Sequence, residues 1–186
     1  MSSHLLLLAI LLIVLVLFVV VQYNKLVGMR LRVRESWANI DTELKRRHDL
    51  IPNLVSTVKG YAAHERTLFE EVTRLRTQAR LTGDTHERRD QERQLSGALG
   101  RLFAVAEDYP QLRASDNFLQ LQRQLSETED RIQASRRFFN GNVRDYNNQV
   151  QQFPSSLVAR TFRFASHEYF EVPTSAERAA PVVRLV

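Results

Sequence analysis

The amino-acid sequence predicts an all-α protein in which an N-terminal transmembrane helix continues into an elongated antiparallel bundle of long helices. A run of seventeen consecutive apolar residues, 5–21, carries neither a charge nor a proline. The remaining sequence is rich in Arg, Gln, Glu and Leu, and the whole chain has only six glycines, a composition that favours helix over sheet. Beyond the run, apolar residues recur at steps of three, four and seven, the spacing of coiled-coil-like helices packed side by side.

The apolar run predicts an uncleaved membrane anchor. A helix of this length is roughly 25 Å long, which is short but sufficient for a hydrocarbon core of about 30 Å. The alternative is a cleaved signal peptide, yet residues 1–4 hold no Lys or Arg and the run ends without a small-residue cleavage pattern. We expect four parts: a short extracytoplasmic N-terminus, 1–4, a transmembrane helix, 5–22, a helical bundle, 23–165, and an irregular C-terminal tail, 166–186.

The charges beside the run predict its orientation. Because cytoplasmic flanks of membrane spans carry the excess of Lys and Arg, the basic side of the run is expected to face the cytoplasm. We therefore expect a single-pass protein of the cell membrane, with its N-terminus outside and about 160 residues inside. The basic residues that follow the run are Lys25, Arg30, Arg32 and Arg34.

Proline, glycine and polar clusters predict where the helices of the bundle begin and end. Pro52 predicts a kink or a short break near 48–51, where Asp49 can cap a new helix. The polar stretch 81–90 contains a glycine and predicts a solvated turn. The Tyr109-Pro110 pair predicts the end of the next helix.

The last part of the bundle is predicted to be one long helix and one short helix. Ser115 or Asp116 is expected to cap the long helix, and the segment 153–156, which contains a proline, is expected to end it. The short helix is predicted from about Leu157 to Phe164.

Three segments carry a more specific signal than composition or periodicity. They are KRRHDLIPNLV at 45–55, TVKGYAAHE at 57–65 and AEDYP at 106–110. In this order they resemble the LemA family of bacterial membrane proteins, and the resemblance covers nearly the whole chain. It implies a single N-terminal span and a long helical bundle, and it brings no generally established enzymatic activity. Phe139 stands where the family pattern has a tyrosine, which keeps the aromatic ring and removes a hydroxyl.

A basic cluster at 45–48 is the first candidate for a binding surface. Arg46 and Arg47, together with the aromatic Tyr61, are candidate partner-facing residues for an acidic protein or anionic lipid. The alternative is a solvated helix face with ion pairs four residues apart. Those pairs would join Asp41 to Lys45 and Glu43 to Arg47.

Two asparagines lie seven residues apart and therefore share one helix face beside the apolar seam. A polar group buried at such a seam must be hydrogen-bonded, and it can fix the register of the helices. Asn140 and Asn147 are thus predicted to be structural, with Asn53, or the backbone freed by Pro52, as a candidate partner. A ligand pocket is the alternative.

Nothing in the sequence predicts catalysis, a metal or a cofactor. His48 and His64 are sixteen residues apart, about 160° around one helix, so a straight helix cannot present both to one ion. The sequence has neither a nucleophile-elbow motif nor a glycine-rich phosphate loop. The net charge of +5 raises nucleic acid as a partner, but the arginines alternate with acidic residues and follow no nucleic-acid-binding motif.

The sequence therefore favours a membrane-anchored interaction or scaffold protein without catalytic activity. Its expected partners are the lipid bilayer and either another protein or a second copy of the chain. The alternative function is that of an accessory or regulatory subunit of a membrane enzyme such as a protease.

Overall fold

A computed structural model describes residues 2–62, 64–81 and 85–170 of the chain. It confirms the all-α class, because helices form nearly all of these ranges and no strand occurs within them. The beginning of the predicted irregular tail, 166–170, has no helix, and 171–186 lie outside the described residues. The helices are α1 (Ser2–Lys59), α2 (Arg66–Leu81), α3 (Thr85–Glu107), α4 (Pro110–Arg113), α5 (Asp116–Gln151) and α6 (Ser155–Thr161).

The chain forms two compact units, and α1 and α5 contribute residues to both. One unit comprises Met1–Trp37 with Arg136–Val186, and the other comprises Ala38–Ser135.

The core of the 38–135 unit is made by apolar stripes on α1, α2, α3 and the first part of α5. On α2 the buried residues follow one another at steps of three and four, so that a single face of this amphipathic helix meets the core. The short helix α4 adds Leu112, which is fully buried. The buried α2 residues are Phe69, Val72, Leu75 and Ala79.

The predicted break before Pro52 is wrong, because α1 is continuous from Ser2 to Lys59. A proline inside a helix cannot donate a hydrogen bond to the carbonyl four residues earlier, which is the His48 carbonyl. Arg76 on α2 makes the missing bond instead: its Nε donates to the His48 carbonyl oxygen at 2.6 Å. Asp49 consequently lies inside the helix and caps nothing.

The predicted ends of the other helices are close to the observed ones. The turn predicted at 81–90 is too long, because α3 already begins at Thr85. Pro110 opens α4, a first-turn position in which its missing N–H is not needed. The Leu119 amide donates to the Ser115 carbonyl at 3.0 Å, so Ser115 stands immediately before the first turn of α5.

The helix α6 ends in a Schellman motif that was not predicted from the sequence. The amides of Arg163 and Phe164 donate to the carbonyls of Arg160 and Ala159, at 3.2 and 2.8 Å. Arg163 occupies the left-handed position of this motif, with φ of 58°, where glycine is the usual residue.

The core of the other unit is aromatic. The Trp37 ring lies 5.4 Å from the Phe139 ring and 5.5 Å from the Phe170 ring, between α1, α5 and the irregular segment 164–170. Phe170 is fully buried, so this segment is packed onto the helices.

Candidate functional site

The predicted anchor is an exposed surface of α1. Of the run 5–21, only Phe18 and Val19 are half-buried, and all the other side chains are exposed. Within the described ranges, α1 is the helix that is long and apolar enough to cross a membrane.

A buried ionic cluster lies in the 38–135 unit, with Arg47 at its centre. The Arg47 guanidinium forms a salt bridge with Glu92, and the two side chains are only 3% and 1% exposed. Its Nη1 also donates to Ser96 Oγ at 3.0 Å and to Glu129 Oε2 at 2.9 Å. The neighbouring His48 places its Nε2 2.9 Å from Glu92 Oε1. The cluster therefore joins α1, α3 and α5.

The electrostatics of the cluster keep Glu92 ionised. Burial by itself raises the pKa of a carboxyl group, because it penalises the charged form. Here the interactions with His48 and the charge and hydrogen bond of Arg47 outweigh burial, so the pKa of Glu92 lies below its ordinary value of 4.5. A buried carboxylate held in this way by Arg47 and its neighbour supports the fold and has little access to a substrate.

Arg47 must therefore be removed from the predicted partner-facing residues. The ion pairs expected along α1 also differ from those observed, because Arg47 takes its acidic partners from α3 and α5 and the two α1 carboxylates pair with other arginines. Asp41 pairs with Arg88 on α3 at 2.7 Å, and Glu43 lies 3.4 Å from Arg46, three residues away. Sequence spacing could not identify Glu92, which lies two residues after the stretch predicted to be a turn.

In the other unit, Asn140 and Asn147 bind the backbone of the segment that follows α6. Asn147 Nδ2 donates to the His167 carbonyl at 2.9 Å, and its Oδ1 accepts from the His167 amide at 2.8 Å. Asn140 Oδ1 accepts from the Phe170 amide at 2.8 Å. Tyr146, the residue immediately before Asn147 on α5, donates its hydroxyl to the Ala165 carbonyl at 2.9 Å.

The structural role predicted for these two asparagines thus fits their contacts, whereas the predicted partner does not. Asn53 is exposed on α1 and is therefore not a buried polar partner. Burial raises the pKa of the Tyr146 phenol, and the charge of Arg30 opposes this shift. The Tyr146 hydroxyl therefore stays protonated and remains a hydrogen-bond donor.

Arg46 and Tyr61 remain exposed, as a partner-facing role requires. Arg46 lies at the edge of a shallow groove of about 240 Å³ between α1 and α5, which Leu50, Gln124 and Thr128 also line. Tyr61 lies in the turn that follows α1. A larger groove of about 780 Å³ lies between α1 and α2, with Val55 and Phe69 among its lining residues.

The described part of the chain brings together no group of three or more His, Asp or Glu side chains with the geometry of a metal site. His48 is directed towards Glu92, whereas His64 lies in the turn between α1 and α2. The arrangement offers helical surfaces for binding and internally paired charges for stability.

Comparison with known proteins identifies relatives of this chain. A model described as the LemA family matches residues 36–185. Magnetosome protein MamQ 2 of Paramagnetospirillum magneticum is 27% identical over 176 residues, which cover 81% of this chain and 65% of that protein. Protein LemA of Metamycoplasma hominis is 26% identical over 138 residues, which cover 74% of this chain and 63% of that protein. The chain thus spans a little under two thirds of the length of these relatives.

Proposed function

We propose that this chain, which belongs to the LemA family, is a membrane-anchored helical interaction or scaffold protein that carries out no catalysis itself. The observation that carries the proposal is the continuity of α1. A single helix leads from an exposed run of seventeen apolar residues to Leu26 and Val33, which are buried among helices. Such a run is costly in water and suits the interior of a bilayer.

The arrangement of the ionisable groups supports a binding role over a catalytic one. In the buried cluster, Glu92 and Arg47 are held by each other and by neighbouring side chains, away from solvent. The polar side chains Asn140 and Asn147 are occupied by backbone groups of the same chain. The surfaces left for a partner are helical faces, such as the one around Arg46.

The topology that we propose places the basic side of the span in the cytoplasm. The chain contains no cysteine, so a single introduced cysteine reports on one position only. In intact cells, a membrane-impermeant maleimide should label Ser3→Cys and should leave Phe138→Cys unlabelled until the membrane is permeabilised. The opposite labelling pattern would reverse the proposed orientation.

Photo-crosslinking in cells tests the interaction role. A photoreactive amino acid at Arg46 and another at Tyr61 should capture a partner, whereas the same group at Arg113, an exposed arginine on α4, is the matched control. Adducts between copies of this chain would support the scaffold, and a single different membrane protein would support an accessory subunit of a membrane enzyme. Equal adduct yields from all three positions would mean that contact is unspecific and would contradict the proposed partner surface.

Reversing the charge of Arg46 distinguishes an accessory subunit that binds an acidic partner from a scaffold that associates with itself. Arg46→Glu should abolish capture of an acidic partner protein while the helix content remains unchanged, since this side chain is exposed. Self-association through apolar helix faces should tolerate the same change.

A further inference from the structure

We propose that the corner between α5 and α6, residues 152–162, is a second contact with the membrane, inserted among the lipid headgroups beside the span. This inference rests on the proposed function, because it takes the apolar run of α1 to cross the bilayer. The occupant of the exposed corner is then the surface of that same bilayer.

The packing of α5 against α1 sets the position of the corner. Residue numbers fall along α1 as they rise along α5: Phe139 contacts Trp37, and Gln149 Nε2 donates to Gln22 Oε1 at 2.8 Å. The two helices are therefore antiparallel in this unit, and α5 runs towards the apolar run. Gln22 is the residue immediately after that run.

The contacts beyond Gln149 place the corner at the level of the membrane surface. Phe162 lies with its ring 4.9 Å from the Tyr23 ring, directly beside the end of the run. Phe153 follows Gln149 by four residues, which at about 1.5 Å per residue takes the chain up to roughly 6 Å past the level of Gln22. Segments that lie in a bilayer surface bury their apolar side chains about 5–10 Å deep.

The partial burial of two residues of the run also places the bundle at the level of the membrane surface. Phe18 and Val19 lie one helical turn before Gln22 and Tyr23, on the same face of α1. They are the part of the run that is partly covered by the protein, so the bundle overlaps the run by about one turn.

The corner has the surface chemistry that a membrane contact requires. Phe153 is 80% exposed and Leu157 is 57% exposed, although the other side of α6 is buried through Val158 and Ala159. The only charged side chains between Asp145 and Glu168 are two exposed arginines, one within the corner and one immediately after it, so this stretch carries positive charge alone. Arginines beside apolar side chains favour an anionic leaflet. These arginines are Arg160 and Arg163.

Spin labels on single cysteines in the full-length chain test this contact. The protein would be reconstituted in nanodiscs of phosphatidylcholine and phosphatidylglycerol and labelled at Leu157→Cys in the corner, Leu12→Cys in the run or Phe138→Cys. Phe138 is the matched control, because it is an apolar residue of the same unit that is 61% exposed. Collisions of each label with oxygen, which partitions into lipid, and with a water-soluble nickel chelate would be measured.

The inference predicts that the Leu157 label collides with nickel several-fold less than the Phe138 label and more with oxygen. If the Leu157 label is as accessible to nickel as the Phe138 label while the Leu12 label is protected, the corner lies in water, and the inference fails while the anchor stands. If the Leu12 label itself is accessible to nickel, the run does not cross the bilayer, and both proposals fail. Far-UV circular dichroism of each variant confirms that it is folded.

Discussion

Replacement of Glu92 by glutamine should strongly destabilise the protein, because it leaves the buried charge of Arg47 without its closest counter-ion. Glutamine preserves the size of the side chain, removes the negative charge and replaces one acceptor oxygen by an NH2 donor. Breaking a buried ion pair by removing one partner costs about 3–5 kcal/mol. Because Glu129 still accepts a hydrogen bond from Arg47 at 2.9 Å, we expect the lower end, about 3 kcal/mol.

Urea unfolding of the full-length protein in detergent, followed by circular dichroism, measures this loss. With a denaturant dependence of about 2 kcal/mol per molar urea, the midpoint should fall by about 1.5 M. Glu70→Gln is the matched control: it breaks an exposed pair with Arg66 that water screens, so the midpoint should hardly move.

A double variant separates the charge effect from a packing effect. Replacing Arg47 by methionine and Glu92 by leucine removes both charges together, and the double variant should recover most of the stability that Glu92→Gln loses. The reasoning would be refuted if the double variant were as unstable as the single one, or if Glu92→Gln moved the midpoint no further than Glu70→Gln.

The pH dependence of stability provides an independent check on Glu92. Its pKa is lower in the folded protein than its ordinary value of 4.5, so the ionised form is favoured by folding. The stability that ionised Glu92 gives the folded protein is therefore fully present above pH 4.5, and it is lost as the pH falls through the pKa of Glu92 in the folded protein. The Glu92→Gln variant should lose this part of the acid sensitivity.

Three further changes test the contacts of the helix ends and of the C-terminal segment. Asn147→Ala should release the segment 164–170 and accelerate hydrogen exchange of its backbone amides. Asn148→Ala, at an exposed neighbouring position, should not. Equal protection of these amides in both variants would contradict the asparagine contacts. Arg163→Gly should raise stability by about 1 kcal/mol in thermal unfolding, because glycine adopts a positive φ without strain. A lower melting temperature would contradict the idea that Arg163 has a strained backbone. Arg76→Met should lower the free energy of unfolding by about 1–3 kcal/mol, because it leaves the His48 carbonyl of α1 without a donor. The loss should be smaller in a Pro52→Ala background, where the alanine amide can donate to that carbonyl. An equal loss in both backgrounds would disprove that Arg76 replaces the missing amide.

The sequence predicted those features that depend on local pattern. The apolar run and the stripes of apolar residues were sufficient for the all-α class. The shared face of Asn140 and Asn147 followed from their spacing of seven residues.

The features that were missed depend on contacts between distant parts of the chain. The break at Pro52 does not occur because Arg76, 24 residues later, supplies the missing donor. Arg47 was placed on the surface because its acidic partner, Glu92, lies 45 residues away beside a polar stretch. The partner of the asparagines is the backbone of an irregular segment, which has no periodicity to reveal it.

The unbroken course of α1 also has a consequence for how the span is oriented about its own axis. Leu26 and Val33 are fixed by packing against the other helices of their unit, and the apolar run continues from them without a hinge. The rotational phase of the span is thus set by the packing of the bundle. Inserting one residue between Gln22 and Leu26 would turn the span by about 100° relative to that packing. Neighbours in the bilayer would then meet a different face of the same helix, although its hydrophobicity would be unchanged.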